Sequence, residues 1–322
     1  MPPVVSYEQV SVHYRLASGK LLPALNHIDL ELQPGHILGL MGQSGCGKTT
    51  LARILTRAVP FSGTVRFLGQ DISQLSGSAL QRYYAQMQYL YQNPSSAIAP
   101  HMLLQQYALT PLLNLKGLTK SAARQQLLAL MHEVQLDPKL LKRRAAEVSL
   151  GQLQRLNLIR SLALQPQLLV CDEITSALDP ESAHICLTVI KNAVAASGMS
   201  VLFITHDLTS AQELCPEIAV LFKGQILEQG PADKLCHPYV QSLKHAADVL
   251  AGHSNQLPNQ NGAPTLTCPM QQAKLCPWLM NCPQATEECL KRAPELQLIA
   301  AGHALRCHRT AGPPTPYPNP WP

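Results

Sequence analysis

Two stretches of this sequence hold residue types at spacings that do chemistry. The first is Gly42-Gln43-Ser44-Gly45-Cys46-Gly47-Lys48-Thr49, which matches G-x-x-x-x-G-K-[ST] at every fixed position. Glycines let such a loop curl so that main-chain N–H groups point inward at phosphate oxygens. A helix starting at its end adds a positive pole. In this pattern Lys48 reaches the β- and γ-phosphates and Thr49 coordinates Mg²⁺. The second stretch is Leu168-Leu169-Val170-Cys171-Asp172-Glu173, an apolar run ending in two carboxylates. Adjacent strand residues face opposite ways, so one acid can hold Mg²⁺ while the other faces an attacking water. Asp172 suits the metal role and Glu173 the general base.

These groups need a strand–loop–helix setting, and the sequence supplies one. Residues 36–41 (HILGLM) are an apolar run suited to a buried strand, and residues 50–58 read as a helix. Residues 4–14 and 27–32 read as strands, with a turn at Ala17-Ser18-Gly19-Lys20 between them. Residues 88–91, 168–171 and 201–205 are further apolar strands, and 180–196 a helix. Residues 218–226 read as a hairpin turning at Lys223-Gly224. Between Pro94 and Pro166 the signals are helical, as in 122–134, which predicts a helical insertion in an α/β core.

Composition narrows the class. The 322 residues carry a net charge of +5, with 14% charged and 46% hydrophobic. The usual charged share is about 25%. A charge-rich disordered chain is excluded, and +5 over this length is too weak a field for a nucleic-acid binder. No apolar run approaches the roughly 18 residues of a membrane span. The first residues, MPPVVSYEQV, lack the basic and apolar blocks of a secretion signal. A soluble or peripheral cytoplasmic protein is expected.

Cysteine is the uneven feature. Of 10 cysteines, Cys46, Cys171, Cys186, Cys215 and Cys236 are scattered, whereas Cys268, Cys276, Cys282, Cys289 and Cys307 crowd the end. The polar stretch 253–267 reads as a linker, and the last ten or so residues as an extended proline-rich tail. Within Cys276-x5-Cys282-x6-Cys289-x17-Cys307, disulfides are disfavoured in a reducing compartment. Packed free thiols would account for one or two of these cysteines. Clustered thiolates around a soft centre, Zn²⁺ or an iron–sulfur cluster, fit the set best. Structural zinc commonly uses tighter C-x₂₋₄-C pairs.

Further motifs fall in a fixed order around the phosphate loop. They are Tyr14, Gln92 in Leu90-Tyr91-Gln92-Asn93-Pro94, Val148-Ser149-Leu150-Gly151-Gln152, Ser176-Ala177-Leu178-Asp179 and Thr205-His206-Asp207. Together they make residues 4–247 resemble the nucleotide-binding subunit of an ATP-binding cassette (ABC) transporter. The resemblance implies an α/β P-loop NTPase cassette over residues 1–250, with a mixed-sheet core and a helical subdomain at about 94–166. A small irregular cysteine-rich segment, 251–322, follows. It implies that Gly42, Gln43, Ser44, Gly45, Cys46, Gly47, Lys48, Thr49 and Thr50 surround the ATP phosphates, and that Tyr14 stacks on adenine. Gln92 would sense Mg²⁺ and the γ-phosphate and face the membrane subunits, and His206 would contact the γ-phosphate. Ser149, Gly151 and Gln152 would complete the site of a partner cassette. Leu150 departs from the family's LSGGQ, where glycine stands, and could crowd the nucleotide or forbid a positive φ.

The tail sharpens the resemblance. Cys282-Pro283-Gln284-Ala285, Pro294, Gly302-His303 ahead of Cys307-His308, and His237-Pro238-Tyr239 resemble the oligopeptide/dipeptide/nickel branch of ABC importers. That branch implies a [4Fe–4S] cluster on Cys276, Cys282, Cys289 and Cys307, with Zn²⁺ the alternative. Cys268 is then spare, and His303 and His308 are outer or solvent residues. The implied function is ATP hydrolysis that energises import of peptides, nickel or a related solute. The implied partners are a second ABC ATPase (a paralogue before a second copy), two integral permease subunits and an extracytoplasmic solute-binding protein. The implied place is the cytoplasmic face of the cell membrane. A soluble ABC ATPase is the other class, but those often carry two cassettes or a coiled-coil insertion, and neither is visible here. A tail that senses redox state or metal is compatible with the importer.

Overall fold

A computed structural model describes residues 2–250 and 275–309. The linker at 253–267, Cys268 and the proline-rich end lie outside the described residues. The first strands are Val5–Arg15 (β1), Leu21–Leu32 (β2) and Ile37–Met41 (β3). β1 and β2 join Ser62–Phe67 (β4) and Gln70–Asp71 (β5) in an antiparallel sheet of order β2-β1-β4-β5. β3 belongs to a second sheet with Met87–Leu90 (β6), Leu168–Asp172 (β7), Ser200–Thr205 (β8), Glu217–Phe222 (β9) and Gln225–Pro231 (β10). Two short strands, Gln297–Ala300 (β11) and His303–Leu305 (β12), complete it in the order β11-β12-β10-β9-β3-β8-β7-β6.

β6, β7, β8, β3 and β9 run parallel. β3, β7 and β8 are buried along their whole length, which is why they read as unbroken apolar runs rather than alternating ones. Register puts Met41 beside Thr205, Ile204 beside Asp172, and Cys171 beside Leu90. Four strands therefore end along one edge, and the loops that leave them share it. Open parallel sheets place ligand sites there.

The helices are Lys48–Leu55 (α1), Gly77–Gln86 (α2), Leu104–Asn114 (α3), Lys120–Glu133 (α4), Leu150–Leu162 (α5), Pro180–Ser197 (α6), Leu208–Leu214 (α7), Pro238–Leu250 (α8) and Glu287–Lys291 (α9). α3, α4 and α5 are the expected helical insertion. They send Leu112, Leu127, Met131 and Ile159 into the same apolar cluster as Phe203 and Val220 of the sheet. α6 starts at Asp179, whose carboxylate accepts from the Ser182 N–H at 2.9 Å, and stops at Gly198 with φ 68°. The hairpin turns at Lys223 and Gly224 with φ 45° and 74°, the left-handed pair that matches strand twist.

The cysteine-rich segment carries two strands that its sequence does not announce. β12 pairs with β10, Glu228 opposite Leu305, and the Arg306 N–H donates to Leu227 O at 2.8 Å. His303 was expected as an outer or solvent residue. It is not a solvent residue: it is 5% exposed, with its Nε2 2.8 Å from Glu228 Oε1. Gly230 makes this docking possible, since a Cβ there would lie 2.5 Å from the His303 ring. His308 is also turned inward, its Nε2 3.0 Å from Arg292 O.

Candidate functional site

Phosphate-binding geometry starts with two glycines. Gly42 leaves β3 with φ 156°, where a Cβ would collide with Leu221 O. Gly47 has φ 113°, and a Cβ there would sit 2.7 Å from Ala24 O. Only glycine follows this path. Lys48 opens α1 and is 4% exposed, with its Nζ donating to Gly42 O at 2.7 Å and Gln43 O at 3.1 Å. The loop is thus curled around its own lysine. Ser44 and Gly45 are exposed, and Cys46 is buried with its thiol pushed up by burial. The Gln43 N–H donates to the Tyr239 hydroxyl at 3.0 Å.

The two carboxylates take different positions at the end of β7. Asp172 is 3% exposed and accepts from Thr49 Oγ1 at 3.1 Å and from the Tyr89 hydroxyl at 2.7 Å. Burial raises its pKa, and the two hydrogen bonds hold back part of that rise. The Thr49 hydroxyl and the Asp172 carboxylate converge, a hard-oxygen donor set that fits Mg²⁺. Tyr89 has no motif to announce it. It stands on β6 opposite Val170, and that register carries its hydroxyl to Asp172.

Glu173 sits just past β7 with φ 50°, a left-handed backbone that costs a non-glycine residue about 1 kcal/mol or more. The twist turns its carboxylate into the site. Its Oε1 is 3.6 Å from Lys48 Nζ and 3.3 Å from His206 Nδ1, and its Oε2 accepts from Gln92 Nε2 at 2.9 Å. The structure thus brings together Lys48, Thr49, Gln92, Asp172, Glu173 and His206 from four strand ends. Tyr14 lies beside this group, 40% exposed, its hydroxyl 3.2 Å from Thr50 Oγ1.

Ser149, Gly151 and Gln152 stand apart from this group, at the start of α5. Ser149 caps α5, accepting from the Gln152 N–H at 3.2 Å, while Gln152 Oε1 accepts from the Ser149 N–H at 3.1 Å. Gly151 packs against α6, where a Cβ would be 2.9 Å from Ser182 Oγ. The concern that Leu150 forbids a positive φ is resolved. Leu150 is the first residue of α5 and is not among the residues with positive φ. Its half-buried side chain at the helix start is the part that differs from glycine.

The tail cysteines gather as their spacing suggested. Cys276, Cys282, Cys289 and Cys307 line one small cavity together with His237, Trp278 and His308. All four are free thiols. Burial raises Cys276 and Cys307 and pushes Cys282 up to about 12, with neighbouring cysteines adding to the rise. Such thiols stay protonated unless a cation supplies compensating charge. A second group, Glu228, Cys236 and His303, has ligand atoms within 4.8 Å of one another. Glu228 already accepts from the Cys236 N–H (2.7 Å), the His237 N–H (2.9 Å) and His303 Nε2 (2.8 Å). This is a satisfied buried network that latches the tail to β10.

Comparison with known proteins agrees with this geometry. The ABC transporter family model matches residues 25–176. The chain is 31% identical over 318 residues to the probable peptide ABC transporter ATP-binding protein y4tS of Sinorhizobium fredii, covering 95% of this chain and 89% of that one. The chain belongs to the ATP-binding subunits of ABC transporters. It is also 31% identical over 318 residues to the di/tripeptide transport ATP-binding protein DppF of Pseudomonas aeruginosa, covering 96% and 98% of the two. Among solved structures, the dimeric post-hydrolysis state of the cassette MJ0796 bound to ADP and Pi superposes with a TM-score of 0.66. It is 22% identical and covers 71% of this chain and 98% of that one, a likeness of fold. As an ABC ATPase the chain binds and hydrolyses ATP. Among the described residues, no helix is long and apolar enough to cross a membrane.

Proposed function

We propose that this ABC ATPase energises import of peptides through a membrane permease, working as a peripheral subunit at the cytoplasmic face. The observation that carries the chemistry is the convergence of Lys48, Gln92 and His206 on the Glu173 carboxylate. Glu173 is the general base for the attacking water, and its left-handed backbone aims it. Lys48 is 3.6 Å from Glu173 here, and the β- and γ-phosphates of ATP take over that lysine when they enter. Gln92 and His206 are the groups that register the γ-phosphate, and Tyr14 offers its exposed ring to adenine. Thr49 and Asp172 would hold Mg²⁺, which supplies charge neutralisation between the phosphates.

The peptide assignment follows the names of the full-length relatives, with nickel or a related small solute as the neighbouring option. The partners are two permease subunits, an extracytoplasmic solute-binding protein and a second cassette. Leu150 favours a paralogous second cassette, since it leaves this chain's own phosphate loop with its full set of residues and weakens the site completed by Ser149, Gly151 and Gln152. Two tests apply. The chain should fractionate with membranes only when the integral subunits are coexpressed; membrane-independent activity would support a soluble ABC ATPase. Binding protein loaded from a panel of peptides and nickel should stimulate ATP turnover with peptides first.

The same reading assigns the cysteine cavity to a [4Fe–4S] cluster. Four soft donors line one cavity, and their spacing in sequence is wider than the tight pairs common in structural zinc sites. When bound, the cluster would supply the positive iron charge that the buried thiols lack. After anaerobic purification, iron and acid-labile sulfide should each approach about four per chain. Stoichiometric zinc without visible absorbance would replace the cluster by zinc.

A further inference from the structure

The phosphate loop is clamped from outside by residues with no part in the hydrolysis just described. Gly224 N donates to Cys46 O at 2.9 Å, and Gln43 N donates to the Tyr239 hydroxyl at 3.0 Å. The second clamp is a built one. Tyr239 is fully buried in the first turn of α8. Its own N–H donates to His237 Nδ1 at 3.0 Å, and the His237 N–H donates to buried Glu228 at 2.9 Å. The hydroxyl therefore cannot drift from Gln43 without disturbing the latch that seats the tail on β10.

Tyr239 also touches the cysteine cavity. Its ring centroid is 4.8 Å from Trp278 and 4.9 Å from Phe222, and Phe222 and Trp278 meet edge to face at 5.1 Å. Phe222 is the last residue of β9, next to Leu221, whose carbonyl abuts Gly42. Trp278 lies between Cys276 and Cys282 in sequence and lines the cavity that all four tail cysteines share. It is 8% exposed, and its Nε1–H has no hydrogen-bond partner among the described residues. A buried indole N–H without a partner is costly, and it marks a place where an acceptor is missing. Thiolate or sulfide sulfur filling the cavity would be such an acceptor.

We propose that Tyr239 is a positioning residue of the phosphate loop, and that its ring contact with Trp278 couples the loop to what fills the cysteine cavity. The loop has glycine at 42, 45 and 47, so side chains do little to stiffen it and external clamps set its path. Filling the cavity gives the Trp278 N–H a partner and fixes the ring. The fixed ring holds Tyr239, and Tyr239 holds Gln43. By linkage, nucleotide binding acts back on Trp278 with the same coupling. The second half rests on reading the cavity as a metal-centre site; the first half does not.

The test uses the full chain on its own, in a Trp321→Phe background that leaves Trp278 as its sole tryptophan. ATP titration should change Trp278 emission, a measurement that needs no change at Tyr239. Tyr239→Phe keeps the ring and removes the hydroxyl. It should abolish that emission change and raise KM for ATP about threefold to tenfold, the scale of one lost hydrogen bond, with kcat within about twofold. Unchanged KM with an intact emission response would overturn the positioning role. For the coupling, ATP affinity should differ between iron-loaded and iron-stripped chain, and Trp278→Phe should erase the difference. Equal affinity of loaded and stripped wild-type chain would overturn it. A chain that takes up no iron overturns the metal reading and the coupling with it, while the Tyr239→Phe result stands on contacts made by the chain alone.

Discussion

The nucleotide site and the cysteine cavity are built in opposite ways. Lys48, Thr49, Gln92, Asp172, Glu173 and His206 stand at or beyond the ends of strands in one parallel sheet whose register fixes the spacing. The cysteine cavity is lined from irregular stretches around the five-residue helix α9 and from the end of the three-residue strand β12. The first is a rigid frame that a substrate enters. The second has donors but little scaffold, so what it binds must contribute to its order. Rigid elements hold side chains more tightly than loops do, which suits catalysis in one place and metal-linked folding in the other.

This contrast can be broken or sharpened by variants confined to one side. Glu173→Gln should keep ATP bound and lower turnover by about 10²- to 10⁴-fold, the range of a lost general base. Iron content of that variant should be unchanged, and a fall would mean that the two regions are not built separately. Lys48→Ala should weaken ATP binding by about 10- to 100-fold in equilibrium titration, the range for hydrogen bonds to a charged group. ATP affinity equal to wild type would remove Lys48 from the phosphates.

The third prediction concerns the hinge between the regions. His237 is held neutral, its pKa pushed down to about 4 from 6.5 by burial. The unfolded chain therefore binds the proton more tightly. Stability from this group is full above about 6.5 and is lost as pH falls toward about 4, by up to about 1.4 kcal/mol per pH unit. Thermal melts from pH 7 to pH 4 should show this slope, and His237→Asn should flatten it. An identical slope in the variant would assign the acid sensitivity to other groups. The smallest effect is expected at Leu150. Leu150→Gly should raise ATP turnover of the assembled complex about twofold to fivefold, the scale of one ordinary hydrogen bond. No change in rate or ATP affinity would make the two composite sites equal.

Legibility in the sequence follows the same division. β3, β7 and β8 could be read because burial on both faces leaves an uninterrupted apolar run, and their loops hold Lys48, Glu173 and His206. β2 was read only over 27–32, although it begins at Leu21. Its first residues, Leu21 and Leu22, are exposed, and Pro23 breaks the pattern. β4, β5 and α2 carry no strong period and passed unseen. Tyr89 was missed because its role depends on β6–β7 register, which no local pattern encodes. The cysteine spacing found the cavity. The ring contacts among Phe222, Tyr239 and Trp278 arise only when the tail folds back over β10. The hydrogen bond from the Gln43 N–H to Tyr239 likewise depends on tertiary packing that no motif encodes.

The account stands most directly on ATP turnover by the complex of this chain with its second cassette, permease subunits and solute-binding protein in membranes. Peptide-loaded binding protein should raise turnover several-fold over empty binding protein, and Glu173→Gln in this chain should remove the increase. Turnover indifferent to the loaded binding protein, or undiminished in the Glu173 variant, would contradict it.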